Sequence, residues 1–495
     1  MSYAAAVDHL YALGHELAPT PANTPRRKFD LDHMRVLAAA LGDPQATFPS
    51  VLVAGTNGKG STAATLASIL TAAGYRTGLY TSPHLVRVNE RIQIDGVEIS
   101  DEDFARFYFQ VDETARRLVE SGDLPQPPSF FEVLTALSFL YFAGNQAEGN
   151  GEVDRNPVDI AILEVGLGGR LDATNIVEPL LSVITDIALD HQDYLGDTLA
   201  EITREKAGVL RPNGTLITLP QHPEANQAIG EAAATLNLRA ISAASFIPHL
   251  PPRPSHQADS GTWVSEAATP LPPNHYTVTL DNEPLEINSP LPGHHQQRNI
   301  ALAIAAAAEL RNRSSYKLAK NEAISNESSY EITNAAIEDG IRNTKWPGRL
   351  ELLTFPKGPN LLLDVAHNPA GAWALRAAIA QLPDSQPRTL IFSCLRDKNL
   401  QEMSQILFTL FDSSPDGSPA RPYDHILFAP IDNPRAARLE DLLAAAQALD
   451  IPARTAPDLA AAFAQARAIT PSNGLIIATG SVYLVGEIRH LAEQE

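Results

Sequence analysis

The chain has one cysteine, Cys394, among 495 residues, which excludes an intrachain disulfide and agrees with a reducing compartment. It also lacks a long apolar run: no stretch approaches the roughly 18 residues that a membrane-spanning helix needs. Met1–Gly14 has neither the basic start nor the continuous apolar core of a signal peptide. Positive charge is scarce, with 37 Lys and Arg against 58 Asp and Glu and a formal net charge of −21. That excess argues against a general affinity for nucleic acid or anionic membrane, while leaving room for a local basic pocket around a small polyanion. No fixed-period repeat is present, which argues against a solenoid or propeller. What remains is a composition of 44% hydrophobic and 19% charged residues, ordinary for a globular protein, at a length that suggests two to four domains. The expectation is a soluble, cytoplasmic protein.

Apolar, β-rich runs alternate with Ala-rich helical stretches. Val51–Ala54 precedes a helix over Ser61–Ala73, and the strands Asp159–Val165 and Leu180–Thr185 precede a helix over Thr198–Leu210. Continuously apolar strands between helices predict a parallel sheet covered on both faces. A second series follows Gly348, with strands at Leu350–Leu353, Asn360–Asp364, Thr389–Phe392, His425–Phe428 and Gly474–Ala478. Its helices begin at Pro369 and Leu400 and lie near 436–448 and 457–468. The expected division is an N-terminal unit over 1–345 and a smaller Rossmann-like α/β unit over 346–495. Four polar segments, 144–157, 243–275, 311–333 and 412–423, read as surface loops or disordered insertions, because they carry too little apolar surface to offset the entropy of ordering.

The run Val51 to Ser61 contains Gly55-Thr56-Asn57-Gly58-Lys59-Gly60-Ser61, a strand, a Gly-rich turn and a helix start in the order that aims backbone N–H groups and a helix dipole at phosphate. It departs from the strict Walker pattern, with Val53 where the first Gly stands and Gly60 after the Lys where Ser or Thr is expected. A plain strand-to-helix turn would also use glycine. Glu164 ends an apolar strand and leads into the Gly-rich Val165–Asn175. A carboxylate at that edge of an open parallel sheet can hold a metal beside a nucleotide, or can simply be solvated. His191 lies between Asp190 and Asp193 at the next strand end, where it reads as either a metal ligand or a structural histidine. Lys206 sits near the end of a helix, where a cation suits the dipole without further purpose.

Taken together, these segments resemble the folylpolyglutamate synthase/dihydrofolate synthase family of Mur-ligase-like, ATP-dependent amide ligases. The motifs are Gly55–Ser61, Thr81–Leu85 with Asn89–Ile92, Leu163–Asn175, Leu189–Gly196, Arg204–Gly208, Gln297–Ala301, Trp346–Arg349 and Asp364–Pro369, in family order from about residue 30 onward. The resemblance implies that Gly58, Lys59, Gly60 and Ser61 hold ATP phosphates and that Asn299, Arg349 and Asp364 contact ATP. It implies magnesium on Ser82, Glu164 and His191, with two magnesium sites and potassium or another monovalent cation. Lys206 is implied to be carbamylated, and His367 to lie near the phosphoryl group or the amino-acid substrate. Lys59, Lys206 and His367 are thus the implied catalytic set. Ser82 to Arg91, Asp30, Leu31, Ser129, Phe130, Phe131, Glu132, Leu171, Asp172 and Ala173 are implied to line a pterin site. On their own, Phe130 and Phe131 read as core residues of a helix running to Phe142.

The implied reaction joins L-glutamate to dihydropteroate and then to the γ-carboxylate of folates through an acyl phosphate, in a bacterial bifunctional monomer with small-molecule partners only. The alternatives are one of these two activities alone, a Mur ligase acting on UDP-muramyl peptides, or a nucleotide-binding regulator without catalysis. Lys59-Gly60-Ser61 in place of Lys-Thr-Thr or Lys-Thr-Ser, together with Ser82-Pro83-His84, favours folate over muramyl peptide.

Overall fold

The computed structural model describes residues 2–14, 31–144, 156–248, 271–319, 330–383, 385–411 and 424–494. Eight strands form the first sheet: β1 (Ser50–Ala54), β2 (Thr77–Tyr80), β3 (Ile92–Ile94), β4 (Val97–Glu98), β5 (Ile160–Glu164), β6 (Leu181–Ile184), β7 (Thr215–Thr218) and β8 (Arg239–Ser242). Their order is β4-β3-β2-β5-β1-β6-β7-β8, parallel except for the antiparallel edge β2-β3-β4. Every residue of β1, β5 and β6 is buried. Side chains alternate faces along a strand, so Leu52 and Ala54 enter one apolar cluster while Val51 and Val53 enter another. The first cluster includes the helices Asp101–Ser121 and Phe130–Ala143; the second includes Lys59–Ala72, His294–Ala319 and Asn334–Arg342. Between them the chain also forms an antiparallel hairpin, β9 (Asn274–Leu280) and β10 (Glu283–Ser289).

The second sheet has six strands: β11 (Glu351–Leu353), β12 (Asn360–Leu363), β13 (Arg388–Phe392), β14 (His425–Phe428), β15 (Arg454–Thr455) and β16 (Leu475–Thr479). Their order is β11-β12-β16-β13-β14-β15, with only β11 antiparallel. It too has a core on each face: Leu362, Leu390, Phe392 and Ile477 on one, Leu361, Leu363, Ile391 and Ile476 on the other. The α/β architecture is thus the expected one, a large, mainly parallel sheet followed by a smaller α/β unit. No helix among the described residues is long and apolar enough to cross a membrane.

Two of the polar segments contain more regular structure than their composition suggested. Helix His294–Ala319 continues through 311–319, which the sequence reads as loop, because the buried run Ile300–Leu310 nucleates a helix that its polar continuation then extends. Thr333 caps the helix Asn334–Arg342, accepting the Ala336 N–H. The 243–275 segment opens with a short 3-10 turn, Ala243–Phe246, and closes on the first residues of β9. Residues 145–155, 249–270, 320–329 and 412–423 lie outside the described residues.

Candidate active site

The carboxyl ends of β5, β1 and β6 face those of β12, β16 and β13 across a cavity of about 1070 Å³. In open α/β sheets ligands bind at such strand ends, where the chain leaves the sheet in opposite directions. Gly58, at φ +86°, caps the helix Lys59–Ala72, and a Cβ there would land on the Asn299 carboxamide. Gly60 lies against Trp346, whose ring an added Cβ would approach to 2.6 Å. Here glycine, where the Walker pattern has Ser or Thr, makes room for an indole from the junction between the two α/β units. Lys59 Nζ donates to the Thr56 carbonyl at 3.2 Å, folded back along its own loop.

The Glu164 carboxylate is buried and accepts the Ser82 backbone N–H at 3.1 Å. Burial pushes it above the usual carboxylate range, against the opposing charges of Lys59 and Arg349. His191 is a left-handed residue at the start of the short helix Gln192–Leu195. Burial, aided by the Lys398 cation and opposed by Asp190, drives its imidazole down to about 3, so the ring is neutral at physiological pH. Its Nδ1 is buried without a hydrogen-bond partner. An orphaned nitrogen on a neutral imidazole lines the same cavity as the buried Glu164 carboxylate and Ser82, donors of the kind that a divalent cation would take. The described residues contain no group of three or more His, Cys, Asp or Glu able to cage an ion. Magnesium, which commonly takes one or two protein ligands and fills its shell with phosphate and water, suits such a set.

Lys206 occupies the last turn of the helix Leu199–Ala207, as expected, but its amine is turned inward. Nζ donates to the Gly55 carbonyl at 2.6 Å and the residue is 5% exposed. Burial and the neighbouring Lys59 charge pull it down to about 7. The helix-dipole explanation does not account for a lysine buried beneath the phosphate loop. From the other side of the cavity come Arg349, half-buried, and Asp364, buried. Burial lowers the guanidinium and raises the carboxyl, which accepts the Leu350 and Ala366 N–H groups at 2.9 Å each. His367 Nδ1 donates to the Val365 carbonyl at 2.8 Å, leaving Nε2 toward Asp190.

The expected acceptor-binding residues lie in the same cavity, whose lining includes Leu31, Ser129, Phe130, Phe131, Glu132, Leu171, Asp172 and Ala173. Several already have structural duties. Ser129 and Glu132 form a reciprocal capping box on the helix Phe130–Ala143. Asp172 is buried, takes the Leu167 and Thr174 N–H groups, and shapes the loop that follows β5. Phe130 carries the Arg91 guanidinium over its ring, while Phe131 packs against Tyr80 and Gly166. The expected site residues thus line one cavity with two exceptions: of the Ser82–Arg91 loop only Ser82 and Pro83 reach it, His84, Leu85, Val86 and Arg91 lining a separate smaller pocket, and Asp30 lies outside the described residues. Sequence reasoning did not assign Asp190, Lys398, Arg435, Arg298 or Asn368. Lys398 lies in the loop after β13, six residues past its end, so the strand-end rule that singled out Glu164 does not reach it.

A phosphate loop on one α/β unit facing a second such unit defines an ATP-dependent, Mur-type ligase layout. Residues 150–307 match the family described as Mur ligase middle domain and residues 348–482 that described as Mur ligase, glutamate ligase domain. The chain is 34% identical over 461 residues to the dihydrofolate synthase/folylpolyglutamate synthase of Bacillus subtilis, covering 93% of this chain and 94% of that one. The Escherichia coli protein of the same description is 33% identical over 417 residues, covering 83% and 80%. Among solved structures, Mycobacterium tuberculosis folylpolyglutamate synthase complexed with ADP superimposes with a TM-score of 0.74 at 27% identity, over 100% of this chain and 99% of that one. Escherichia coli FolC in complex with DHPP and ADP gives 0.73 at 29%, over 100% and 98%. The chain belongs to the folylpolyglutamate synthase/dihydrofolate synthase family.

Proposed function

We propose that this protein is an ATP-dependent ligase that joins L-glutamate to dihydropteroate and to the γ-carboxylate of folates. The observation that carries this reading is convergence. A phosphate loop, a buried carboxylate with a neutral imidazole, a lysine near neutrality and a histidine from the second unit all open into one cavity. At about 1070 Å³ it is at the upper end of ordinary ligand sites, with room for a nucleotide and a bicyclic acceptor together.

A carboxylate does not react with an amine at neutral pH, so the acceptor must be activated. Its carboxylate oxygen attacks the γ-phosphorus of ATP and the bond to ADP breaks, forming an acyl phosphate. The neutral amine of glutamate then attacks the acyl carbon, phosphate leaves and the amine proton is lost. Gly58 to Ser61 turn backbone N–H groups and the helix dipole toward the phosphates, and Lys59 adds a point charge to the transferring group. Asn299, Arg349 and Asp364 hold the nucleotide. Ser82, Glu164 and His191 would hold magnesium, which would supply charge neutralisation in phosphoryl transfer.

Only a neutral amine adds carbon dioxide, and a Lys206 amine near 7 is substantially neutral in the cell. Carbamylation turns it into an anion able to face a second cation. His367 lies beside the incoming amine or the phosphoryl group. Leu31, the Phe130–Phe131 pair and Leu171 to Ala173 bind the pterin end, with Asp30 at its margin, while Ser129 and Glu132 shape the wall. A monovalent cation such as potassium, a monomeric state, a domain division at 345/346 and a cytoplasmic location complete the reading.

The test is ADP release by purified protein with ATP, magnesium, potassium and glutamate, comparing 7,8-dihydropteroate with tetrahydrofolate and identifying products by mass. Turnover of both acceptors is expected. Turnover of one assigns a single activity, and turnover of a UDP-muramyl peptide instead would overturn the folate assignment.

A further inference from the structure

Asp190 precedes the expected metal ligand His191, yet its carboxylate is directed largely to the second α/β unit. Oδ1 accepts Lys398 Nζ at 2.6 Å and the His191 backbone N–H at 2.9 Å. Oδ2 accepts Asn368 Nδ2 at 3.0 Å and faces His367 Nε2 at 3.6 Å. Lys398 follows β13, whereas His367 and Asn368 follow β12, so one carboxylate gathers groups from two strand ends of the opposing sheet. The Asp190 and Lys398 side chains are 7% and 5% exposed. Asn368 also joins the phosphate loop, exchanging amide hydrogen bonds with Asn57 at 3.0 and 3.3 Å.

A buried ion pair offsets its desolvation only while both partners are in place; removing either leaves a stranded charge. Here the partners belong to different units, so the pair favours the arrangement in which the second unit sits over the phosphate loop. Building on the ligase reading above, we propose that Asp190 is a positioning residue. By holding Lys398 and Asn368 it docks the second unit's strand ends over the phosphate loop and fixes His367 toward the cavity, so that amide formation depends on the Asp190–Lys398 pair.

The experiment compares Asp190→Asn, Lys398→Met and the double variant in glutamate-dependent ADP release, in equilibrium binding of the ATP analogue AMPPCP, and in small-angle scattering with analogue and acceptor bound. Each single variant is expected to lower kcat about a hundredfold, the loss that a displacement of about 1 Å in reacting groups can cause. Analogue affinity should fall by about tenfold at most, well short of the loss in kcat, because the phosphate loop stays with the first unit while only Arg349 and Asp364 reach the nucleotide from the second. The double variant should be no worse than the worse single one, since the two side chains act as a unit. The ligand-bound variants should scatter as more open particles than the wild type.

Wild-type kcat in either variant, a double-variant loss equal to the product of the single losses, or analogue binding lost in proportion to kcat would each overturn the proposal. The last of these would place Asp190 in phosphate or cation binding instead. If Asp190→Asn fails to fold, Lys398→Met reads the same link from the other unit, with its melting temperature as the control. A wild type without glutamate-dependent turnover would refute the ligase reading, while the scattering comparison would still test the docking role.

Discussion

Lys206 shows how far a residue's surroundings can move it from its sequence context. Carbamate formation consumes the neutral amine and releases a proton, so occupancy should rise as pH climbs through about 7 and fall below it. With labelled bicarbonate, a carbon-13 carbamate signal should follow that course in the wild type and be missing from Lys206→Ala. That variant should be inactive and partly restored by a short-chain carboxylic acid; full activity without additive would refute the role. Gly58 is a second case. Its left-handed φ costs a residue with a side chain about 1–2 kcal/mol, and the new Cβ would strike Asn299. Gly58→Ala should therefore raise the KM for ATP by about tenfold or more and lower Tm, whereas an unchanged KM would show that the turn tolerates a side chain. Gly58, Lys59 and Glu164 were legible because their spacing and strand-end positions bear directly on phosphate and cation binding. Asp190 and Lys398 meet only across the fold, and nothing local in either segment marks the pair.

Among the local elements, the loop between β2 and β3 shows how a short segment is held in shape. Glu90 takes the N–H groups of Leu85, Val86 and Arg87 at 2.7, 2.8 and 2.6 Å. Hydrogen bonds to a charged group contribute about 1.5–3 kcal/mol each, so this carboxylate sets the loop's conformation. The loop in turn packs the Leu85 carbonyl against Gly486 on the helix Val482–Glu493 of the second unit. Glu90→Ala should weaken acceptor binding about tenfold or more while leaving AMPPCP affinity unchanged; equal losses in both would mean the loop supports the whole cleft. Two capping boxes that sequence reasoning did not single out were nonetheless readable as Ser129-x-x-Glu132 and Thr198-x-x-Glu201 patterns. The continuation of helix His294–Ala319 was not, because its polar end depends on an apolar segment that is already buried.

For the molecule as a whole, each sheet has its own two-faced core, and nucleotide stabilises the fold by mass action. AMPPCP at a hundredfold excess over its dissociation constant should add about 2.7 kcal/mol and raise Tm by a few degrees in the presence of magnesium. EDTA should remove most of that gain. In Glu164→Ala the gain should no longer depend on magnesium, and a magnesium effect that persists there would show that Glu164 is not a ligand.

The sequence by itself determined the α/β class, the phosphate loop and the family, because period-two and helical patterning and short glycine turns are local properties. It also singled out Glu164 and His191 as candidates, since strand ends and their loops are contiguous in the chain. Only the tertiary structure decided that Lys206 turns inward beneath the phosphate loop, that Gly60 makes room for Trp346, and that Asp190 joins Lys398. Each depends on burial and on partners about 150 to 290 residues away in the chain. Desolvation and pairing at that range arise when the two sheets meet, and they are what make a lysine near-neutral or an aspartate an anchor.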